Sequence, residues 1–321
     1  MAEKNKAGSV VVLAGPTASG KSALALDLAE ALGGTIINAD SMQVYRDLPI
    51  LSAQPDATDM ARAPHRLYGF LALDDACDAQ RWAELAAQEI DAAHAEGRVP
   101  IIVGGTGLYI RSLVSGFSPL PDIPAEVRSA ARALVKEAGA EEAHRRLTAR
   151  DPETAARLRP TDPQRIARAW EVLEATGQPL SWWQAQPPVP PTPHRFQAFA
   201  ITPERAELYT AADARFLAML ERGALEEVSR AAALAPFSDG GGRKALGYAE
   251  LAAVSAGTLS LSEAIPAAQQ ATRRYAKRQL TWFRHQLPQA NFISPDNRAM
   301  KFSQSYTAQL RQKIRDFLLT P

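Results

Sequence analysis

The sequence predicts an α/β fold, a parallel sheet core flanked by helices and interrupted by an inserted all-helical domain. Two observations predict the core. Short aliphatic runs alternate with helical patterns, and the first run leads directly into a glycine-rich loop. A third observation predicts the insertion, because strand-like patterns stop near Phe117 and return at Arg195.

The first elements follow one another closely. Val10–Leu13 is a candidate buried strand, and Gly15–Ser22 is a loop. Ala23–Leu32 has a helical pattern that two glycines end. Thr35–Ala39 is a second strand candidate, and Asp40 stands at its carboxyl end.

A second helix and strand pair follows. Asp78–Glu96 is a predicted helix with Asp78 as its N-cap, and Val99–Val103 is a strand that ends in Gly104–Thr106. Ligands of parallel α/β sheets bind beyond the carboxyl ends of the strands. We therefore expect the glycine loop, Asp40 and Gly104–Thr106 to share one edge of the sheet.

These patterns divide the chain into residues 1–117, 118–194 and 195–321, with the middle part as the insertion. Residues 124–184 are helical in pattern and precede a proline-rich stretch. Arg195–Ile201 is a strand candidate, after which the chain is helical, with a flexible loop expected at Gly240–Gly242.

Composition sets outer limits on function. The chain has 321 residues, 46% of them apolar and 22% charged, which is typical of a globular protein. Lys and Arg (36) nearly balance Asp and Glu (35), so a nucleic-acid surface would require local segregation of charge. Cys77 is the only cysteine and no long apolar run is present, so we expect a cytoplasmic protein without a membrane anchor.

The glycine loop matches the phosphate-binding pattern G-x-x-x-x-G-K-[ST] in full. Its members are Gly15, Pro16, Thr17, Ala18, Ser19, Gly20, Lys21 and Ser22. In such a P-loop, backbone N–H groups and the helix N-terminus bind phosphate, the lysine adds a charge, and Ser22 is a candidate Mg²⁺ ligand. The motif predicts a P-loop NTPase-like core that binds a nucleotide or another di- or triphosphate, without specifying ATP.

The acidic residue near this loop is not where a kinase or ATPase usually has it. The strand Val99–Val103 ends without a carboxylate, whereas Asp40 follows the other strand. Asp40 could act as a magnesium-side ligand or as a base. The sequence Asp40-Ser41 also resembles a simple turn cap, and the residues alone leave these alternatives open.

Several blocks together resemble the bacterial tRNA dimethylallyltransferases, also called the tRNA isopentenyltransferase family. The blocks are Gly15–Ser22, Asp40–Tyr45, Gly104–Tyr109, Ser118–Pro121 with Arg128, Asp162–Ala169, Gly247-Tyr248 and Arg274–Arg284. Where the family commonly has Gly-Thr-Ala-Lys-Pro, this chain has Leu51–Pro55, which puts the role of that segment in doubt. The glycines before Arg243 and Lys244 leave open which of these two fills the family's basic position.

The resemblance implies transfer of a dimethylallyl group from dimethylallyl diphosphate to the N6 amine of the tRNA adenosine 3′-adjacent to the anticodon. It implies that Asp40 is the base, that Thr106 positions the amine or the diphosphate, and that Mg²⁺ is the cofactor. Arg243 and Lys244 would join the P-loop in binding the diphosphate.

The resemblance also implies contacts with the tRNA anticodon stem-loop by the insertion and by a basic C-terminal helix. Between Arg243 and His285, seven Lys or Arg stand against two acids. The candidate tRNA contacts are Asp40, Ser41, Met42, Gln43, Thr106, Arg128, Gln164, Arg165, Ile166, Ala167, Arg168, Arg243, Lys244, Gly247, Tyr248, Lys277, Arg278, Gln279 and Arg284.

Three alternatives remain at this stage. They are a prenyltransferase that acts on free adenine nucleotide, a small-molecule kinase, and a non-catalytic RNA-binding module that holds a nucleotide. The long insertion and the basic helix favour a polynucleotide acceptor, and the missing acid after Val103 disfavours a kinase. We expect the protein to act as a monomer.

Overall fold

The computed structural model describes residues 8–234, 241–287, 289–295 and 302–320. The chain forms two compact units, one of Met1–Val114 with Pro191–Pro321 and one of Ser115–Pro190. The second unit begins three residues before the predicted start of the insertion at residue 118. It ends four residues before the predicted end at residue 194. Its ends pair with each other, since the Val189 N–H donates to the Phe117 carbonyl at 2.9 Å.

The first unit contains one six-stranded sheet in which every pairing is parallel. Its strands are β1 (Ser9–Ala14), β2 (Gly34–Asn38), β3 (His65–Arg66), β4 (Val99–Gly104), β5 (Arg195–Ile201) and β6 (Asn291–Ile293), in the order β3-β2-β4-β1-β5-β6. The four predicted strands are confirmed. The edge strands β3 and β6 were not predicted, because two or three residues carry no readable periodicity.

Helices cover both faces of this sheet and form the second unit. They are α1 (Lys21–Leu32), α2 (Ala57–Arg62), α3 (Ala79–Ala95), α4 (Gly107–Val114), α5 (Ala125–Ala138), α6 (Ala140–Arg150), α7 (Pro152–Arg157), α8 (Pro163–Thr176), α9 (Leu180–Gln184), α10 (Arg205–Glu221), α11 (Ala224–Leu234), α12 (Tyr248–Ser255), α13 (Leu261–Gln286) and α14 (Gln304–Leu319). The second unit contains α5 to α9. None of the described helices is both long and apolar enough to cross a bilayer.

The carboxyl ends of β1, β2 and β4 meet at one edge, as expected. The P-loop follows β1, Asp40 follows β2, and Gly105-Thr106 follows β4. The ends of β2 and β4 approach so closely that a Cβ on Gly104 would lie 2.1 Å from the carbonyl carbon of Ala39. Only glycine allows this approach, and the three loops therefore converge.

Helix α3 supports β2 from one face. Asp78 caps it as predicted, accepting from the Arg81 N–H at 2.9 Å. Trp82 is fully buried, stacks on Tyr109 with ring centroids 4.7 Å apart, and donates its Nε1–H to the Asn38 carbonyl at 2.8 Å. The stack fixes the strand end that precedes Asp40.

The prediction of a flexible loop at Gly240–Gly242 is wrong for Gly241 and Gly242, which the structure describes. Gly241–Lys244 forms a 3-10 turn, and the Gly242 N–H donates to the Leu73 carbonyl at 2.8 Å. Gly240 lies outside the described residues. A run of glycines indicates conformational freedom, but here it permits close packing: a Cβ on Gly241 would lie 2.0 Å from the Leu73 carbonyl oxygen.

Candidate active site

The P-loop is shaped by two left-handed residues at the start of α1. Ala18 has φ 62° and Gly20 has φ 79°, and Gly20 occupies the N-cap position of α1. The Ser19 N–H donates to the Pro16 carbonyl at 3.3 Å, which closes the turn. The amides at the N-terminus of α1 follow this turn directly, in the arrangement that binds phosphate groups in other proteins.

Lys21 is the buried cation of the loop. Its side chain is almost fully covered and its Nζ donates to the Pro16 carbonyl at 3.2 Å. Burial lowers the pKa of Lys21 to about 8, Asp40 opposes this shift, and Arg215 adds to it. The charged form of Lys21 is therefore disfavoured by burial, and pairing with a bound anion would stabilise it.

Asp40 is held by its neighbours on both sides. The buried Asn38 side chain accepts from the Asp40 N–H at 2.8 Å and donates to the Asp40 carbonyl at 3.0 Å. The Asp40 Oδ1 accepts from the Met42 N–H at 3.0 Å. Asp40 therefore caps this turn with one carboxylate oxygen, and its negative charge raises the pKa of Lys21 against the effect of burial.

Thr106 connects the β4 loop to the β2 loop. Its Oγ1 accepts from the Ser41 N–H at 2.9 Å and donates to the Ser41 Oγ at 3.2 Å. Tyr275 of α13 hydrogen-bonds to Thr106, while burial and the nearby Asp40 charge raise the pKa of Tyr275 to about 12. Asp40, Ser41 and Thr106 thus form one connected group.

Arg215 is a site residue that sequence reasoning missed. It lies on α10, donates to the Thr17 Oγ1, and its positive charge contributes to the lowered pKa of Lys21. Burial lowers the pKa of Arg215, and Asp40 counters that shift. A single arginine within a helical pattern carries no motif, and the contact of α10 with the P-loop is visible only in the structure.

Gln279, one of the predicted tRNA contacts, is almost entirely covered by protein. Its side chain is 5% exposed. The Oε1 accepts from the Thr17 N–H at 2.9 Å, and the Nε2 donates to the Gly105 carbonyl at 2.8 Å. Both polar atoms are engaged with the loops of the site, and the side chain is covered.

Four other predicted tRNA contacts are also buried. Ile166 and Ala167 belong to the hydrophobic core of the helical unit, and Tyr248 is 5% exposed in a core cluster of the first unit. Gly247 packs so tightly that a Cβ there would lie 2.7 Å from the Phe216 ring. Within their sequence blocks, these residues pack against neighbouring parts of the protein.

Arg243 and Lys244 differ in their contacts and in their exposure to solvent. Arg243 forms an ion pair with Asp74 and its side chain is only 10% exposed. Lys244 is exposed. Of the two residues that the sequence could not distinguish, Lys244 is the more exposed, and Arg243 is held by Asp74.

The segment Leu51–Pro55, where the chain departs from the common pattern, is an ordered turn. The Gln43 Nε2 donates to the carbonyls of Ser52 at 3.0 Å and Ala53 at 2.7 Å. The Gln54 Nε2 donates to the Tyr45 carbonyl at 2.7 Å. Gln43, a predicted tRNA contact, therefore uses its amide to hold this turn, and Met42 is half-buried beside it.

Helix α13 carries an exposed basic groove of about 460 Å³. It is lined by Arg274, Lys277, Arg278, Thr281 and Trp282. Arg284 is exposed on the same helix, whereas Arg273 is bound to Asp213 by two hydrogen bonds of 2.7 Å. The exposed cations form a basic face on α13, whereas Arg273 joins α13 to α10 through Asp213.

The helical unit presents several of its predicted contacts to solvent. Arg128, Gln164 and Arg165 are exposed, and the Arg128 Nε donates to the Ile123 carbonyl at 3.0 Å. Arg168 is half-buried and pairs with the buried Glu171 at 3.0 Å. The exposed guanidinium groups of this unit can reach a phosphate backbone without loss of core packing.

The residues at the P-loop fit a Mg²⁺ ion that would be held mainly by the phosphate oxygens of a bound molecule and by water. Ser22 is exposed beside Lys21 at the start of α1. The described part of the chain has no group of three or more His, Cys, Asp or Glu side chains that could hold a metal. Mg²⁺ commonly takes few protein ligands and completes its shell with phosphate oxygens and water, which matches a single hydroxyl donor.

Comparisons with known proteins show which family the chain belongs to. The family model described as IPP transferase matches residues 43–286. The chain is 52% identical to a tRNA dimethylallyltransferase of Rhodospirillum centenum over 94% of this chain and 98% of that protein. It is 48% identical to the tRNA dimethylallyltransferase of Paramagnetospirillum magneticum, with 97% of each chain covered.

Solved structures show the same likeness. A full-length tRNA isopentenylpyrophosphate transferase from Bacillus halodurans superposes with a TM-score of 0.70 at 31% identity, covering 98% of this chain and 97% of that one. A eukaryotic dimethylallyltransferase described as acting on tRNA gives a TM-score of 0.81 at 26% identity, covering 97% of this chain and 80% of that one. The chain therefore belongs to the IPP transferase family, whose curated relatives are tRNA dimethylallyltransferases.

Proposed function

We propose that this protein transfers a dimethylallyl group from dimethylallyl diphosphate to the N6 amine of the tRNA adenosine 3′-adjacent to the anticodon, releasing diphosphate. The observation that carries the proposal is a phosphate-binding loop and a fixed carboxylate, Asp40, at the same edge of one sheet. The relatives named tRNA dimethylallyltransferase support the choice of donor and acceptor.

The donor side requires stabilisation of a departing diphosphate. Breaking the bond between C1 of the allyl group and the diphosphate oxygen leaves an allylic cation and a highly charged anion. The amides of the P-loop, Lys21 and Arg215 would stabilise that anion. Mg²⁺, when bound at Ser22, would neutralise further charge on the diphosphate.

The acceptor side requires removal of one proton. The N6 amine of adenosine is a weak nucleophile because its lone pair is delocalised into the ring. As the N6–C1 bond forms, the carboxylate of Asp40 accepts a proton from the nitrogen. Asn38 and Met42 hold Asp40 for this role, and Thr106 would donate to or accept from the amine or the diphosphate.

A polynucleotide acceptor is supported by the basic groove of α13. The groove combines cationic side chains with Trp282, a combination suited to a phosphate backbone and an unstacked base. The adenosine must leave the anticodon-loop stack to reach Asp40, as other base-modifying enzymes require. A free adenine nucleotide would not need this surface. We expect one monomer to hold both substrates.

Asp40→Asn tests the base. The amide keeps the size of the side chain and an oxygen for the Met42 N–H, but it cannot accept the N6 proton. We expect turnover to fall by about 10²–10⁴-fold, while tRNA affinity stays within about twofold. Turnover is measured by single-turnover transfer of a radiolabelled allyl group, and tRNA affinity is measured by filter binding. Turnover equal to that of the unchanged protein would remove Asp40 from the role of base.

The pH dependence of pyrophosphate binding tests Lys21. The pKa of Lys21 is lowered to about 8 in the free protein, and a bound polyanion raises it by favouring the charged form. Above pH 8 binding must therefore take up a proton, and affinity falls with rising pH, by up to about tenfold per pH unit from this group. Below pH 8 this contribution disappears.

Titration calorimetry between pH 6.5 and 9.5 measures this dependence. Lys21→Arg is the control, because a guanidinium stays charged over the whole range and reports the ionisation of pyrophosphate alone. The same slope above pH 8 in both proteins would show that Lys21 does not titrate on binding.

Lys277→Ala tests the basic groove. Loss of one phosphate contact should weaken tRNA binding and reduce the slope of log affinity against log salt by about 1. Lys313→Ala on α14 is the matched control, since Lys313 is exposed on the same unit and outside the groove. Equal slopes for Lys277→Ala and the unchanged protein would exclude Lys277 from the phosphate contacts.

A further inference from the structure

We propose that Gln279 is a positioning residue that sets the spacing between the diphosphate loop and the acceptor-side loop of the active site. This role rests on the proposed transfer reaction for its purpose, but its geometry is independent of it. Gln279 lies on α13, the helix whose exposed face carries the basic groove.

The side chain joins two loops through opposite hydrogen bonds. The Thr17 N–H of the P-loop donates to its Oε1 at 2.9 Å, and its Nε2 donates to the Gly105 carbonyl at 2.8 Å. One loop offers a donor and the other an acceptor. A carboxamide is the side-chain group of this size that offers both without a charge.

Packing leaves no freedom at this junction. A Cβ on Gly105 would lie 2.3 Å from the Gln279 Nε2, and a Cβ on Gly107 would lie 2.3 Å from the Trp282 ring. Helix α13 therefore rests directly on the loop that follows β4. With both neighbours at contact distance, the Gln279 carboxamide has one arrangement that satisfies both loops.

Thr17 is fixed a second time by the neighbouring helix. Arg215 of α10 donates to the Thr17 hydroxyl, and Gln279 of α13 accepts from the Thr17 N–H. Helices α10 and α13 are joined by the two hydrogen bonds between Arg273 and Asp213. Two packed helices thus hold the P-loop at Thr17, immediately before the left-handed Ala18.

The reaction explains why the spacing matters. The allyl carbon must lie within near-attack distance of the amine, and a misplacement of about 1 Å can cost about 10²-fold in rate. The diphosphate loop places the carbon, and the loops of Asp40 and Thr106 place the amine. Gln279 is bonded to the first loop and to Gly105, the neighbour of Thr106.

Gln279→Glu is the direct test, with pyrophosphate affinity as the readout. An ionised glutamate still accepts from Thr17 but has no proton for the Gly105 carbonyl, whereas a protonated carboxyl again has one. We expect affinity about tenfold below that of the unchanged protein at pH 8.5 and recovery toward it at pH 5.5. Dividing the pyrophosphate affinity of the variant by that of the unchanged protein at each pH removes the effect of groups that titrate in both proteins.

Gln286→Glu is the matched control, because it places the same charge change on an exposed position of α13. We expect its pyrophosphate affinity to stay within about twofold at every pH. Gln279→Met removes both polar atoms at nearly constant volume, and it should weaken binding without any recovery at low pH. Both Gln279 variants should keep the tRNA affinity of the unchanged protein, since the side chain is buried.

Each outcome bears on the positioning role. Unchanged pyrophosphate affinity in both Gln279 variants, or loss of tRNA affinity alone, would overturn it. If thermal melts show that neither variant folds, Gln279 maintains the fold and the proposal is wrong. Absence of allyl transfer by the unchanged protein, with the pyrophosphate results as expected, would contradict the proposed function and leave the role of Gln279 standing.

Discussion

The close approach of β2 and β4 at their carboxyl ends is the constraint on which the site depends. Gly104 lies against the Ala39 carbonyl with no room for a Cβ, and the Thr106 N–H donates to that same residue at 3.1 Å. This contact brings Asp40 beside Thr106, and the pairing of β1 with β4 adds the P-loop. The P-loop, Asp40 and Thr106 thus converge through backbone geometry, and side-chain hydrogen bonds hold them in place.

Electrostatics at this edge is arranged for an anionic ligand. Lys21 is buried and Arg215 is partly buried, and burial lowers the pKa of each. Asp40 opposes both shifts, so one carboxylate partly balances two cations before a ligand arrives. An anionic ligand at this edge would add negative charge beside both cations and favour their charged forms.

The core strands, the P-loop and the shared edge were predictable because each has a local signal: aliphatic runs, a spaced glycine motif and the rule for parallel sheets. Arg215 was missed because its role arises from the packing of α10 beside the P-loop. The burial of Gln279 and Tyr248 was not predictable, because a sequence block does not reveal which face of a helix is buried. Edge strands β3 and β6 were too short to show a period.

Transfer itself is the most direct test of the account. Purified protein, Mg²⁺, unmodified tRNA and dimethylallyl diphosphate are mixed without ATP, and the tRNA digest is weighed by mass spectrometry. The account predicts one dimethylallyl adduct, on the adenosine 3′-adjacent to the anticodon. No adduct on tRNA, with an adduct on free AMP in a parallel reaction, would contradict the polynucleotide acceptor; no adduct on either would contradict prenyl transfer.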